Sequence, residues 1–309
     1  MLTYSNTNNS FTTVRDLIRF AVTKFKQNNI FCGHGTDNVY DEAVYLVLSS
    51  LSLPVEQLEP YFDAKILPEE IDFILSNIYK RSVEKIPAAY LTHVAYLQGF
   101  EFYIDERVIV PRSYIAELLL GQVLDKYIEY PELIHNALDL CTGNGSLAII
   151  MASYFPEANI TASDISSDAL NVAQINVSRH KFDKQIELVK SDLFVGLDSK
   201  LKYDLIVTNP PYVADRLRLD IPKEYNHEPE IALYADNDGL YLIQQILEQA
   251  SSHLTEFGVV VVEMGDNLDD LYNTYPYFPF EFIPTTSGDG YVFVATYQQL
   301  VAYFTDIEG

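Results

Sequence analysis

Apolar residues in the first quarter of the chain recur at the spacing of a helix. Val14, Leu17, Ile18, Ala21 and Phe25 share one face. Ala43, Val44, Val47, Leu48 and Leu51 repeat the pattern behind Asp41-Glu42, an acidic start that suits the helix dipole. A third helix is predicted from Pro68, a good first-turn residue, through Ile71, Ile74, Leu75 and Ile78. Between 97 and 110 the period shortens: Phe100, Phe102 and Ile104 alternate with polar neighbours, which reads as a hairpin or extended linker. Pro111-Arg112-Ser113 then opens a helix through Ile115, Leu118 and Leu119, with Ser113 as its N-cap. From 137 onward strands (near 137–141, 159–164, 186–190, 203–208, 258–263, 280–284 and 291–297) alternate with helices (near 146–154, 167–180 and 239–255). That alternation predicts an α/β fold with a mainly parallel sheet covered on both faces. The last two strands are too close for a crossover helix and are expected to pair antiparallel. The expected organisation is a helical domain over 1–96, a hairpin linker over 97–110 and the α/β domain over 111–309.

Composition narrows the class. The chain has 309 residues, 48% hydrophobic and 21% charged, enough to bury a core without disulfides or structural metal. A net charge of −24 argues against a general nucleic-acid binder and suits a basic protein partner. The two cysteines, Cys32 and Cys141, are far apart, which fits a reducing cytoplasm and no metal site. The polar N-terminus lacks a signal-peptide pattern, and no apolar run approaches a membrane span.

Two loops carry candidate chemistry. Ala137–Cys141 runs into Thr142-Gly143-Asn144-Gly145 and then a helix, the first strand-to-helix turn of a doubly wound sheet, where ligands bind. The next strand ends in Asp164, 19 residues beyond Gly145, placed to accept ribose hydroxyls. Alone the loop is ambiguous, because Gly143-x-Gly145-x-x-Ala148 also satisfies a dinucleotide fingerprint. Asp139, inside the strand, either meets a cofactor amine or braces the loop. Asp192-Leu193, after the third strand, either binds an adenine amino group and covers its ring or forms an ordinary turn.

The sharper signal is Asn209-Pro210-Pro211-Tyr212, closing the strand Tyr203–Thr208. Prolines stop the ladder and stiffen the corner. The Asn209 carboxamide oxygen and the Pro210 carbonyl are two acceptors that can hold both hydrogens of a planar NH₂ group, with Tyr212 as a flat wall. Such a nitrogen is a poor nucleophile, so holding it with its lone pair aimed at an electrophilic methyl is a major part of catalysis, and the two oxygens stabilise its developing positive charge. A neutral thioether leaving group requires no strong base.

Asp139-Leu-Cys-Thr-Gly-Asn-Gly145, Asp164, Asp192 and Asn209-Pro-Pro-Tyr212 together resemble class I S-adenosylmethionine methyltransferases, and among them the HemK-like protein glutamine-N5 methyltransferases. Gly33–Asn38, Phe102–Arg107, Val110–Ser113, Glu224–Pro229 and Cys141 are similar to the subgroup acting on ribosomal protein L3. The resemblance implies a Rossmann-like seven-stranded sheet with a helical N-terminal domain and hairpin linker. It implies that Asp139 and Cys141–Gly145 hold S-adenosylmethionine with Asp164 on the ribose and Asp192 and Leu193 at the adenine. Asn209 would touch cofactor and substrate, with Asn209, Pro210 and Tyr212 catalytic and Pro210, Pro211 and Tyr212 forming a glutamine pocket. The implied partner is L3, met before or during ribosome assembly, without nucleic-acid specificity, membrane or metal. Rival readings are a release-factor glutamine methyltransferase, an adenine-N6 methyltransferase, a nicotinamide dehydrogenase from the glycine loop alone, and a non-catalytic ribosome-assembly factor. Other polar residues are read as structural: Arg112 as a solvated linker charge, Glu117 as a surface or linker ion-pair partner, His34 in a turn, and His227 and Glu228 as loop braces. The long segment 213–238 and the helical domain are expected to recognise the partner together.

Overall fold

A computed structural model describes residues 10–128, 131–286 and 288–306. Four helices come first: α1 (Val14–Gln27), α2 (Val39–Ser50), α3 (Pro68–Tyr79) and α4 (Ala88–Thr92). Thr13 and Asp16 form a reciprocal capping box on α1, and Asn38, three residues ahead of the acidic start expected from sequence, caps α2. The helices close on one apolar core containing Leu17, Phe25, Leu46, Leu48, Ile74 and Ile78, each fully buried.

A hairpin follows, β1 (Val94–Leu97) and β2 (Phe100–Tyr103), turning at Gln98-Gly99. It therefore lies over 94–103 and not 97–110; 104–113 is an irregular strap leading to α5 (Ile115–Leu120). α5 begins two residues after Ser113, whose Oγ accepts from the Ile115 N–H at 3.2 Å.

The sheet region contains β3 (Asn136–Leu140), α6 (Ser146–Tyr154), β4 (Asn159–Asp164), α7 (Ser167–His180), β5 (Ile186–Lys190) and β6 (Tyr203–Thr208). After a two-strand ladder of β7 (Val213–Ala214) and β8 (Tyr234–Ala235), it continues with α8 (Tyr241–Ala250), β9 (Leu254–Glu263), α9 (Leu268–Thr274), β10 (Glu281–Thr285), β11 (Gly288–Thr296) and α10 (Tyr297–Asp306). The seven-stranded order is β10-β11-β9-β6-β3-β4-β5, with the five strands from β9 to β5 parallel. As expected, the last two strands pair antiparallel, and β11 lies between β10 and β9. Side-chain alternation divides the core. Ala137, Leu205, Val207 and Val261 face one side with α5, α6 and α7, while Leu138, Ile206, Val260 and Val262 face the other with α8 and α10. α6 is apolar nearly all round, which suits the burial of Ser146–Ala152 between sheet and neighbours.

Buried charges fasten the helices to the segment after β6. Arg81, fully buried, donates to Glu42, to Glu224 at 3.1 Å and to the Phe31 carbonyl at 2.6 Å. Glu224 also accepts from the Phe31 N–H at 2.9 Å. Burial pushes the Glu224 carboxyl up, but the Phe31 N–H and the Arg81 guanidinium hold it below its ordinary value. Removing one partner of such a cluster strands a desolvated charge. Glu224→Ala is therefore expected to cost about 3 kcal/mol, read as a lower urea midpoint, whereas breaking the exposed Arg15–Asp63 pair leaves the midpoint nearly unchanged.

Candidate active site

The carboxyl edge of the parallel strands carries two adjoining cavities. One, about 160 Å³, is lined by Cys141 after β3, Asp164 at the end of β4, Asp192 and Leu193 after β5, and Asn209 and Pro211 after β6. The second, about 260 Å³, is lined by Pro210, Tyr212, Arg112, Tyr225 and Phe31, again with Asn209 and Pro211. Asn209, Pro211, Ile109 and Ala232 belong to both cavities, so the corner after β6 stands where they meet. Among the described residues, the Asn209 carboxamide has no hydrogen-bond partner in the protein.

The glycine loop divides into residues that face the first cavity and residues that build the turn. Asp139 is fully buried beneath it and accepts from Thr142 Oγ1 at 2.5 Å and from the Ala148 N–H at 2.9 Å. Gly145 precedes α6 without a side-chain cap, so Asp139 reaches up from β3 to satisfy a first-turn N–H. Burial pushes its carboxyl up to about 7 against those two donors. Asn144 Oδ1 takes the Ser146 N–H, and the buried Asn176 side chain ties the Asn144 carbonyl to both backbone groups of Tyr103 in the hairpin. Gly145 sits at φ +82°, and a Cβ there would lie 3.2 Å from Ala173, so this glycine lets α6 and α7 approach. Gly143, at φ +56°, has nothing within 4 Å of an added Cβ, leaving open space over the loop. Asp164 accepts from the Gly143 N–H at 2.9 Å and the Ser166 N–H at 2.8 Å, and burial raises its carboxyl despite both. The structure thus brings Cys141, Asp164, Asp192, Leu193 and Asn209 together on the first cavity, while Asp139, Thr142, Asn144 and Gly145 shape the loop from behind.

Tyr212 is fixed from four sides. Its carbonyl accepts from Asn267 at 2.9 Å, and its hydroxyl donates to Glu263 at 3.4 Å. A Cβ on Gly239 would lie 2.2 Å from its carbonyl oxygen, and one on Gly265 would lie 2.6 Å from its ring, so both positions must lack a side chain. Glu263, the last residue of β9, also accepts from Ser113 Oγ at 2.6 Å and the Tyr114 N–H at 2.9 Å, joining the strap to Tyr212.

Three structural readings need correction. Arg112 is not a solvated linker charge: its side chain is 22% exposed, forks onto Glu228 at 2.5 and 2.7 Å and faces the second cavity, because the strap folds under the loop that carries Glu228. Among the described residues Glu117 forms no ion pair; it accepts from the N–H and Oγ1 of Thr286, at 2.7 and 2.6 Å. His34 is not simply a turn residue but is buried 4.6 Å from the Tyr225 ring and 3.5 Å from Glu228, with burial lowering its basicity to about 4 against the pull of that carboxylate. The brace reading holds for His227, whose ring meets the Glu84 carbonyl, and for Glu228, which also accepts from the Val110 N–H. Phe31, Ile109 and Glu263 escaped sequence reasoning. The available signal for Glu263 is a carboxylate ending the otherwise apolar run Val259–Val262.

A glycine turn after β3, an acid at the end of β4 and an Asn-Pro-Pro-Tyr corner after β6, on a seven-stranded sheet of this order, define a methyltransferase of the class I fold. A family model described as "Methyltransferase small domain" matches residues 116–225. The ribosomal protein uL3 glutamine methyltransferase of Neisseria gonorrhoeae is 53% identical over 290 residues, covering 94% of this chain and 96% of that protein. The protein of the same description from Burkholderia pseudomallei is 46% identical, covering 94% and 97%. Among solved structures, the hMettl16 catalytic domain bound to the MAT2A 3'UTR hairpin 6 superposes with a TM-score of 0.50 at 15% identity, over 74% of this chain and 81% of that one, a likeness of fold alone. The chain belongs to the ribosomal protein uL3 glutamine methyltransferase family.

Glu263 supplies a pH test. Burial pushes its carboxyl up to about 7 in spite of Ser113 and Tyr114. The folded protein therefore keeps this proton to higher pH than the unfolded chain does. Stability falls as pH rises from about 4.5 through about 7. Relative to Glu263→Gln, in which Asp139 titrates alike and cancels, the wild type should lose on the order of 3 kcal/mol across that window. Urea unfolding of both proteins at pH 5 and pH 8 measures the difference, and parallel pH profiles would contradict the assignment.

Proposed function

We propose that this chain transfers a methyl group from S-adenosylmethionine to the side-chain amide nitrogen of a glutamine in ribosomal protein uL3. The observation that carries the reading is Asn209, an unpartnered carboxamide at the junction of two cavities on a corner whose neighbour Tyr212 is rigidly held. The first cavity suits the methyl donor. Asp164 offers a carboxylate with two N–H partners and further acceptor capacity, Leu193 an apolar wall, and Gly143 open space for close approach. Cys141 and Asp192 complete that wall, and Asp139, Thr142, Asn144 and Gly145 hold its loop. Bound there, S-adenosylmethionine supplies an electrophilic methyl on a sulfonium whose leaving group is a neutral thioether.

The remaining work falls to the chain itself. Asn209 Oδ1 and the Pro210 carbonyl accept the two amide hydrogens of the glutamine, turning its nitrogen toward the first cavity. As positive charge grows on that nitrogen, the same two oxygens stabilise it without moving. Pro211 and Tyr212 wall the side chain in. The helices ahead of the hairpin serve as substrate-recognition domain, the hairpin and strap as linker and the sheet region as transfer domain, and the acidic balance favours encounter with a basic partner in the cytoplasm.

Asn209→Ala is expected to lower turnover on uL3 about a hundredfold or more, measured by methyl incorporation at saturating S-adenosylmethionine. Asp164→Ala is expected to weaken S-adenosylmethionine binding about ten- to hundredfold. An unchanged dissociation constant for that variant would refute the ribose assignment.

A further inference from the structure

Among the described residues lining the second cavity, Phe31 alone precedes the hairpin, in the segment between α1 and α2. The residue is 38% exposed, its ring lies 5.9 Å from that of Tyr225, and its backbone is held on both sides by charged side chains that are themselves buried: Arg81 on its carbonyl and Glu224 on its N–H. The next turn makes room for the ring, since a Cβ on Gly33 would fall 2.3 Å from it. An exposed aromatic with so fixed a main chain is a positioned surface. Phe31 also lines an open groove between α1 and α2, together with the apolar Val22, Ile30, Val39 and Tyr40 and the charged Lys26 and Asp37. The substrate cavity and this groove therefore share Phe31 as a lining residue. Tyr40, 48% exposed, lines the groove as well.

We infer that Phe31 is a specificity-determining residue: the segment of uL3 flanking the target glutamine leaves the second cavity across the Phe31 ring and lies, extended, in the groove between Phe31 and Tyr40. This rests on the proposed transfer to uL3. The occupant follows from continuity: a glutamine seated between Asn209 and Tyr212 is part of a chain, and the groove begins where the cavity rim carries its exposed ring. Contact with that ring supplies apolar area and orientation next to the reacting amide, as aromatic anchors do at interfaces.

The test uses the full chain with purified uL3. Phe31→Ala is expected to lower kcat/KM for uL3 about ten- to hundredfold, mainly through KM, with unchanged S-adenosylmethionine affinity. Phe31→Leu should recover much of the loss, and Tyr40→Ala should raise KM more weakly. A photo-reactive phenylalanine analogue at position 31 should crosslink uL3 within a few residues of the methylated glutamine. An unchanged KM for Phe31→Ala, an equal loss of cofactor affinity, or crosslinks confined to remote parts of uL3 would overturn the inference. Failure of the wild type to methylate uL3 is a different result, which removes the proposed function itself.

Discussion

Two carboxylates in the loop after β6, Glu224 and Glu228, hold the molecule's working parts together. Glu224 meets Arg81 and the backbone of Phe31; Glu228 meets Arg112, the Val110 N–H and the edge of His34. Each is almost wholly buried, and each accepts from groups far away in sequence. Charges are costly to desolvate, so this arrangement persists only while all partners are present. One loop thereby registers the helices, the strap and the Asn209 corner against one another. Burial alone would raise the Glu228 carboxyl, but the Arg112 guanidinium outweighs it and holds Glu228 ionised.

That constraint explains why the segment 213–238 is long yet ordered. It contains little regular structure beyond a two-residue ladder and short 3₁₀ turns, and its exposed charges pair locally, Arg216 with Asp238 and Arg218 with Asp215 and Glu230. Those exposed pairs contribute little to stability. The buried carboxylates set the loop's position, and its apolar members Ile221, Pro222 and Ala232 then line the second cavity.

Strand and helix placement over 137–208 was legible in the sequence because each strand there is a short apolar run bounded by turn residues. The corner Asn209–Tyr212 was legible because no sheet ladder accommodates its prolines. α9 and α10 were not: α9 is only seven residues long, and α10 is held by aromatic packing distant in sequence, Tyr303 and Phe304 meeting Tyr275 just past the end of α9. The insertion of β11 between β9 and β10 is likewise a long-range pairing with no local signal. At the site, sequence identified the cavity-facing residues Asp164, Leu193 and Asn209, but it could not tell Cys141 on the wall from Thr142 and Asn144 behind it, because a turn's facing depends on its dihedral angles. Arg112 was misread because its partner Glu228 lies 116 residues away.

The two carboxyls whose proton affinity is raised most, Asp139 and Glu263, lie beside the site without entering it. Each is fully buried, and each accepts from a hydroxyl and a backbone N–H: Thr142 and Ala148 for one, Ser113 and Tyr114 for the other. Neither faces the cavity where an amide would sit. A mechanism needing a base to strip the amide before attack would put such a group within reach of the nitrogen. Here the acids serve architecture, Asp139 at the start of α6 and Glu263 at Tyr212, and the polar groups lining the second cavity are the Asn209 carboxamide, the phenols of Tyr212 and Tyr225, and an Arg112 guanidinium already paired with Glu228. That division suits a reaction whose barrier is lowered by orientation and by neutral oxygens aimed at developing charge, with the proton lost only after the new bond has formed.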